Sequence, residues 1–173
     1  MIIKDEDVFM TVLAALHPDG DGLIAGTVPI DKRPIIKINV DNWVYNVGGK
    51  NDPGETPVIT AEREAAEEGW LLQKGAIIYE VYRGIKKGFG IAKPITFSVC
   101  VCDTPMVKDP GEYKEKHRGL EQRKIQLWQV EKLWETGGSC ASTVIDIYRR
   151  VLNKEKNIKP INQSNKGNWF VYD

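Results

Sequence analysis

The chain has three glutamates within about one helical turn, namely Glu64, Glu67 and Glu68. In a helix, positions i, i+3 and i+4 share a face, so this spacing brings the three carboxylates together. Like charges at that spacing repel each other, and the negative end of a helix dipole adds to the cost. A hard divalent cation that prefers oxygen ligands, Mg²⁺ or Mn²⁺, would offset the repulsion. The alternative interpretation is a solvated acidic helix face without a ligand.

The residues before these glutamates extend the pattern. Glu55 follows Gly49 after five residues, and Arg63 follows Glu55 after seven. Arg63 directly precedes the first of the three glutamates, and two alanines separate that glutamate from the other two. Six positions are therefore fixed. If each has a chance frequency of about 0.07, a match at any start in the chain has odds on the order of 10⁻⁵.

The spacing from Gly49 to Glu68, which we call the box, resembles the Nudix box of the Nudix hydrolase family. The resemblance implies an α/β protein with a Nudix-like α/β/α sandwich and a mixed β-sheet. Residues 1–173 would then form a single domain, with residues 160–173 as an extended tail.

The resemblance also implies roles for individual residues. Glu55 and Arg63 would pair as a structural brace between the loop and the helix. A divalent ion, Mg²⁺ or Mn²⁺, would bridge diphosphate oxygens and lower the pKa of an attacking water. The implied metal ligands are one backbone carbonyl and three carboxylates, and these carboxylates are also the implied catalytic groups: Gly49, Glu64, Glu67 and Glu68.

The implied activity is a divalent-metal-dependent pyrophosphohydrolase that cleaves a diphosphate bond in a nucleoside diphosphate linked to another moiety. ADP-ribose-type compounds, dinucleoside polyphosphates, nucleoside triphosphates and the 5′ end or cap of RNA all stay open as substrates. A second hypothesis is a Nudix-fold module that senses a nucleotide without cleaving it. One departure from the family pattern supports this alternative, since Gly69 follows the box at once and Trp70 takes the expected glycine position. A third is an unrelated α/β domain with a coincidental acidic helix, which the spacing disfavours.

A general base in this family comes from the box or from a later loop. The polar segment 104–124 supplies three candidates, Glu112, Glu115 and Glu121. Glu121 is preferred because it is nearest to the expected strand that carries Trp128. Solvated loop charges are the alternative for each of them.

Segment 82–93, "YRGIKKGFGIAK", groups several cations between two expected strands. They would suit the neutralisation of substrate phosphates, while a solvated hairpin turn is the alternative. The candidate phosphate contacts are Arg83, Lys86 and Lys87, with Lys93 in the same group.

Capping residues and apolar spacing predict two helices that would help to position these groups. Segment 56–69 predicts a helix with Thr56 as N-cap, Pro57 at the first position and Gly69 as the stop. Its expected buried stripe is Val58, Ile59 and the alanine pair at 65 and 66. A second amphipathic helix is predicted over 142–156, with the following residues on one stripe: Val144, Ile145, Tyr148, Val151 and Leu152.

Strands are predicted where β-branched runs are bounded by Gly, Pro or Asp. Segment 5–20 is a strand or a short helix followed by a loop, and segment 104–124 is a long loop. Segment 131–137 is a short helix or turn. Cys100 and Cys102 alternate on one strand and are predicted to pack in the core. The predicted strands are 22–30, 33–40, 42–49 (running into a glycine turn), 76–85, 93–103 and 125–130.

Composition narrows the class of protein. Lys+Arg and Asp+Glu are equal at 24 each, which disfavours a dedicated nucleic-acid binder and favours a nucleotide-type small molecule. Three cysteines give no disulfide framework, and His17 and His117 are too far apart in sequence to suggest a zinc pair. No membrane helix or signal peptide is expected, so a cytoplasmic location is predicted. A homodimer is also considered, in which the aromatic tail "WFVYD" pairs with a neighbour's strand.

Overall fold

A mixed β-sheet forms the centre of the fold. The computed structural model describes residues 3–28, 43–86, 93–108, 121–125, 141–155 and 170–171. Within these ranges a 3₁₀ turn at Asp5–Asp7 precedes the first strand. The elements in chain order are β1 (Met10–Ala14), β2 (Leu23–Val28), β3 (Trp43–Lys50), α1 (Pro57–Glu67), β4 (Trp70–Leu71), β5 (Ile78–Lys86), β6 (Ile95–Cys102), β7 (Val107–Lys108), β8 (Glu121–Ile125), α2 (Ala141–Leu152) and β9 (Phe170–Val171).

Seven of the strands pair in the order β8-β2-β3-β1-β6-β5-β9, and β4 pairs with β7 separately. β1 and β6 run parallel, while the other neighbours in the large sheet are antiparallel. Thr11 on β1 lies opposite Gly49 on one side and Ser98 on the other. The glycine end of β3 is therefore joined directly to the central strand.

Alternation along β1 divides the core into two layers. Val12 and Ala14 pack in a cluster with Ile147 and Tyr148 of α2. The intervening residues, Leu13 among them, pack in a second cluster that holds the buried alanines of α1. Since successive side chains of a strand point to opposite faces, the helices cover opposite faces of the sheet. The predicted α/β/α sandwich with a mixed sheet is confirmed.

The predicted helix of the box is confirmed as α1. The Thr56 hydroxyl accepts a hydrogen bond from the Ile59 N–H at 3.4 Å, and Pro57 occupies the first turn. The predicted buried stripe is wrong in part, because Ile59 is 51% exposed. The residues that α1 buries instead are small or polar, which lets the helix lie close to the sheet: Pro57, Thr60, Ala61, Glu64 and Ala65.

α1 ends just before the residues that depart from the expected spacing, Gly69 and Trp70. The Glu68 N–H donates to the Glu64 carbonyl at 3.0 Å, and the Gly69 N–H donates to the Ala66 carbonyl at 3.0 Å. Gly69 has φ +86°, the left-handed conformation that ends helices and favours glycine. Trp70 then enters the core with 2% exposure. The helix therefore ends directly after the last glutamate, and the tryptophan anchors the chain beyond it.

α2 begins near the predicted position and ends earlier, at Leu152. Tyr148 and Val151 are buried as expected, and Leu152 packs against the same cluster. The prediction missed Ile147, which is fully buried. The side chains of Val144 and Ile145 lie outside the described residues.

Several boundaries of the predicted strands change. Segment 5–20 contains strand β1, and β3 continues through both glycines to Lys50 instead of turning at them. The predicted loop 104–124 is wrong at both ends, because β7 pairs with β4 and Glu121 pairs with Thr27 of β2. Both are short strands with polar residues, so hydrophobic alternation cannot reveal them. Segments 33–40 and 126–137 lie outside the described residues.

The end of the chain pairs with its own sheet. Val171 lies opposite Tyr82 and Phe170 opposite Arg83, so β9 forms an edge strand beside β5. This pairing differs from the expected pairing with a neighbour's strand. In the described parts of the chain, neither helix is long and apolar enough to cross a membrane. Cys100 and Cys102 are buried as predicted, and burial raises the pKa of both thiols.

Candidate active site

One arginine, Arg63, forms hydrogen bonds with both ends of the loop between β3 and α1. Arg63 Nε donates to Glu55 Oε2 at 2.8 Å, and its NH2 group donates to Glu55 Oε1 at 2.9 Å. The same NH2 group also donates to the Lys50 carbonyl at 3.0 Å. Glu55 Oε1 accepts further hydrogen bonds from the Asp52 N–H at 2.8 Å and the Thr60 hydroxyl at 3.0 Å. We call the Arg63–Glu55 pair the brace, because it ties both ends of the loop to α1.

The ion pair of the brace favours the charged forms of both Glu55 and Arg63. The hydrogen bonds from Arg63 lower the pKa of Glu55 from 4.5 to about 2, and the Glu55 carboxylate raises the pKa of Arg63. The Glu55 side chain is only 14% exposed, so solvent screens the pair less than a surface ion pair. Both partners therefore carry their charges throughout the neutral pH range.

Glu64 lies against the backbone of β3 at Gly49. Glu64 is 8% exposed, although it carries a carboxylate. A Cβ atom on Gly49 would lie within 2.7 Å of Glu64 Cδ, Oε1 and Oε2. Glycine at this position therefore leaves the space in which the carboxylate sits, and any other residue would fill it.

The other two glutamates reach the same region from the end of α1. Glu68 Oε2 accepts a hydrogen bond from the Gly48 N–H at 3.2 Å. Arg63 NH1 lies 3.1 Å from Glu64 Oε1 and 3.2 and 3.3 Å from the two carboxylate oxygens of Glu67. Glu64 and Glu68 thus each meet the glycine end of β3, and Arg63 NH1 links Glu64 with Glu67.

These residues suit a hard divalent cation by donor type. Three carboxylates and the backbone at Gly49 offer only oxygen, and the space beside Gly49 holds a carboxylate that an added Cβ would expel. Within the described ranges, no three His, Cys, Asp or Glu side chains are arranged closely enough to hold a metal ion. Glu64 and Glu67 accept hydrogen bonds from Arg63 NH1, and Glu68 accepts one from the Gly48 N–H.

A hydrogen bond that sequence reasoning missed supports the start of the loop. The Thr11 hydroxyl donates to Asn51 Oδ1 at 2.9 Å, and the Asn51 N–H donates to the Phe9 carbonyl at 2.9 Å. Thr11 is fully buried on β1, directly opposite Gly49. The signal in the sequence was a threonine within the apolar run "VFMTVLAAL", since a buried hydroxyl requires a partner.

Arg83, one of the candidate phosphate contacts, has partners within the fold. It is buried on β5 and donates to Glu80 at 2.6 and 2.8 Å and to the Ile3 carbonyl at 2.7 Å. It also pairs with Asp5. A guanidinium committed to these partners connects the N-terminal segment to the sheet, and we do not assign it to substrate. The side chain of Lys86 and all of Lys87 lie outside the described residues, and Lys93 is exposed.

Glu121, the preferred general base, lies at the start of β8. It is opposite Thr27, which in turn lies opposite Val44 on β3. Val44 precedes Gly48 by four residues, or about 13 Å along a strand. The backbone register therefore separates Glu121 from the glutamates of α1, and its side chain lies outside the described residues, as do Glu112 and Glu115.

Comparisons with known proteins complete the description of the site. No family model matches the chain, and no curated protein sequence matches it. Among solved structures, the chain is similar to a MutT protein from Methanosarcina mazei Go1, with 12% identity, 87% of this chain and 96% of that chain covered, and a TM-score of 0.49. It is also similar to a NUDIX hydrolase from Nitrosomonas europaea, with 12% identity, 88% and 91% covered, and a TM-score of 0.49. An ADP compounds hydrolase shows 16% identity, 84% and 70% covered, and a TM-score of 0.41. Because the identities are below 25% and the TM-scores below 0.5, the function proposed below depends on the contacts of the box.

Proposed function

We propose that this protein is a Nudix-type pyrophosphohydrolase that depends on Mg²⁺ or Mn²⁺. It would cleave a diphosphate bond in a nucleoside diphosphate linked to another moiety, such as an ADP-ribose-type compound, a dinucleoside polyphosphate or a nucleoside triphosphate. The observation that supports this best is the position of the Glu64 carboxylate in the space left by Gly49, beside Glu67 and Glu68. A coincidental acidic helix face would have no reason to bury a carboxylate against a glycine of the neighbouring strand.

The residues proposed to hold the cation are the Gly49 carbonyl, Glu64, Glu67 and Glu68. When bound, the cation would neutralise diphosphate charge and lower the pKa of an attacking water. The chain's own residues would position these ligands. The brace fixes the loop to α1, and the packing of Ala61 and Ala65 sets the distance of α1 from the sheet.

The carboxylates of α1 are tested by the variants Glu67→Gln and Glu68→Gln. Each change keeps the side-chain volume and removes the negative charge. We expect turnover to fall by about 100-fold or more, the scale on which one electrostatic contact to a transition state acts. The measurement is product identity by chromatography across a nucleotide panel with Mg²⁺ or Mn²⁺, together with circular dichroism to check folding.

Glu62→Gln is the matched control, because Glu62 is exposed on the same helix. It should leave turnover near that of the wild type. Near-normal activity in both Glu67→Gln and Glu68→Gln would rule out the proposed roles of these residues.

A nucleotide-sensing module without catalysis is the second candidate. The observation that favours it is the engagement of Glu64 and Glu67 by Arg63 NH1, at 3.1 and 3.2 Å. The same panel separates the two candidates. Tight binding of one nucleotide without turnover of any panel member would support the sensor, and turnover would exclude it.

A further inference from the structure

One guanidinium serves both the brace and the carboxylates of the box. Nε and NH2 of Arg63 bind Glu55 and the Lys50 carbonyl, while NH1 points the other way. NH1 lies within hydrogen-bond distance of Glu64 at 3.1 Å and of Glu67 at 3.2 Å. Arg63 NH2 also lies 3.5 Å from Asp52 Oδ2. A single positive charge therefore stands between two loop carboxylates and two helix carboxylates.

The NH1 contacts offset the repulsion between two carboxylates of the box. Glu64 and Glu67 lie one turn apart, and Glu64 is almost fully buried. Burial reduces solvent screening, so the repulsion between these carboxylates costs more than it would on a solvated helix. A buried carboxylate that loses its cationic partner is strongly destabilising. NH1 supplies the positive charge that the fold requires at this point.

We propose that Arg63 is an internal counter-ion that a divalent cation displaces from Glu64 and Glu67. This inference rests on the proposed function, because it concerns how the same carboxylates accept a metal. During the exchange, NH1 leaves the two helix carboxylates, while Nε and NH2 stay on Glu55 and the Lys50 carbonyl. The planar guanidinium suits this double role because its five N–H donors point in fixed, separate directions.

The exchange has two measurable consequences. The metal-free protein is stabilised, because NH1 offsets the carboxylate repulsion. Metal affinity is lowered, because the cation must compete with NH1. A brace without a counter-ion role predicts neither coupling, since the contacts of Nε and NH2 do not involve the carboxylates proposed to hold the metal.

The test compares Glu55→Gln with the double variant Glu55→Gln/Arg63→Gln. Both lack the ion pair of the brace, but only the double variant also lacks the charge of NH1. Mn²⁺ binding is measured by calorimetry, and thermal unfolding is followed in EDTA and in saturating Mn²⁺. We expect the double variant to bind Mn²⁺ at least about fivefold more tightly than Glu55→Gln. We also expect a larger rise in its melting temperature on Mn²⁺ addition.

Equal or weaker Mn²⁺ binding by the double variant would overturn the counter-ion role and leave the proposed function standing. Absence of Mn²⁺ and Mg²⁺ binding in the wild-type protein would instead overturn the proposed function, and this inference with it. The two failures are therefore distinguishable.

A second measurement uses the wild-type protein and so does not depend on the folding of a variant. The side-chain N–H resonances of Arg63 are followed by NMR during a titration with Mg²⁺, which is diamagnetic. We expect the NH1 protons to exchange faster with water as Mg²⁺ binds, while the Nε proton stays protected by Glu55. Unchanged NH1 exchange at saturating Mg²⁺ would contradict the displacement.

Discussion

The Glu64 carboxylate lies beside the backbone of Gly49 on β3. The carboxylate lies where the side chain of any other residue at position 49 would be. Gly49 lies within β3 and forms no turn, so turn geometry does not require a glycine there. Burial is also unexpected for a carboxylate such as that of Glu64 when it is considered alone. Together they indicate that the strand end and α1 are shaped around a carboxylate.

We expect Gly49→Ala to expel the Glu64 carboxylate from its place. Its Cβ would meet three carboxyl atoms at distances that packed atoms do not adopt, so the free energy of unfolding should fall by about 2 kcal/mol. Turnover should fall with it, because Glu64 is a proposed metal ligand. Urea unfolding and the nucleotide panel measure the two effects.

Gly54→Ala is the control for this prediction. Gly54 has φ +83° and no atom within 4 Å of an added Cβ, so alanine there introduces backbone strain without a clash. A loss of activity as large as that of Gly49→Ala would show that general loop strain, and not the contact with Glu64, explains the effect.

The brace predicts how stability depends on pH. The pKa of Glu55 is lowered in the folded protein to about 2 from 4.5. The stabilisation is therefore complete above about pH 4.5 and is lost as the pH falls toward 2. Its size is at most on the order of 3 kcal/mol.

Denaturant unfolding of the wild type and Glu55→Gln between pH 2 and 7 checks this dependence. The difference in unfolding free energy between the two proteins should be largest at neutral pH and should shrink through the acid range. A constant difference across all pH values would show that the charge of Glu55 does not stabilise the fold.

At the scale of the element, α1 begins and ends on residues whose positions were readable from the sequence. Thr56 and Pro57 set its start, and Gly69 sets its end. The abrupt stop serves two purposes, since it places Glu68 where it reaches the Gly48 N–H and directs Trp70 into the core. The ring of Trp70 then meets His17 edge-on, with 5.6 Å between the ring centroids.

We expect Gly69→Ala to lower the free energy of unfolding by about 1 kcal/mol, because alanine is strained in the left-handed conformation at φ +86°. Gly69→Asn should cost less, since asparagine tolerates this conformation. Thermal unfolding of both variants is the measurement. A smaller loss for alanine than for asparagine would contradict the role of Gly69 as the helix stop.

At the scale of the whole molecule, the α/β/α arrangement around a mixed sheet was predicted, but the short strands at the edges of the sheet were not. Local pattern predicted the helix α1 and the amphipathic helix α2, and β-branched runs bounded by Gly, Pro or Asp predicted several strands of the sheet, whereas the segment of β1 was predicted as a strand or a short helix. Burial of Glu64 was not predictable, because a glutamate in an isolated helix is expected to face solvent. Its burial depends on the tertiary approach of Gly49, which the sequence pattern alone does not place.

The same limit applies to Arg83 and to the strand at 121–125. Arg83 looked like one cation of a basic turn, but its partners come from Asp5 and the Ile3 carbonyl, far away in the chain. The strand at 121–125 is polar because it lies at an edge of the sheet, where alternation gives little signal. Local pattern thus identified both helices and the longer strands but missed the short strands β7 and β8, and long-range contacts decide the partners of charged residues such as Arg83.

The central position of β1 has a consequence for how the chain folds. β1 pairs with β3 and with the distant strand β6, where Met10 lies opposite Phe97. During synthesis, β1, β3 and α1 are made before Ile95–Cys102. Until then, one edge of β1 exposes backbone groups that have not met their native partner. The sheet beneath the carboxylates of the box is therefore completed only late in synthesis. Because β1 and β6 are far apart in sequence, their pairing also predicts slow folding of the domain.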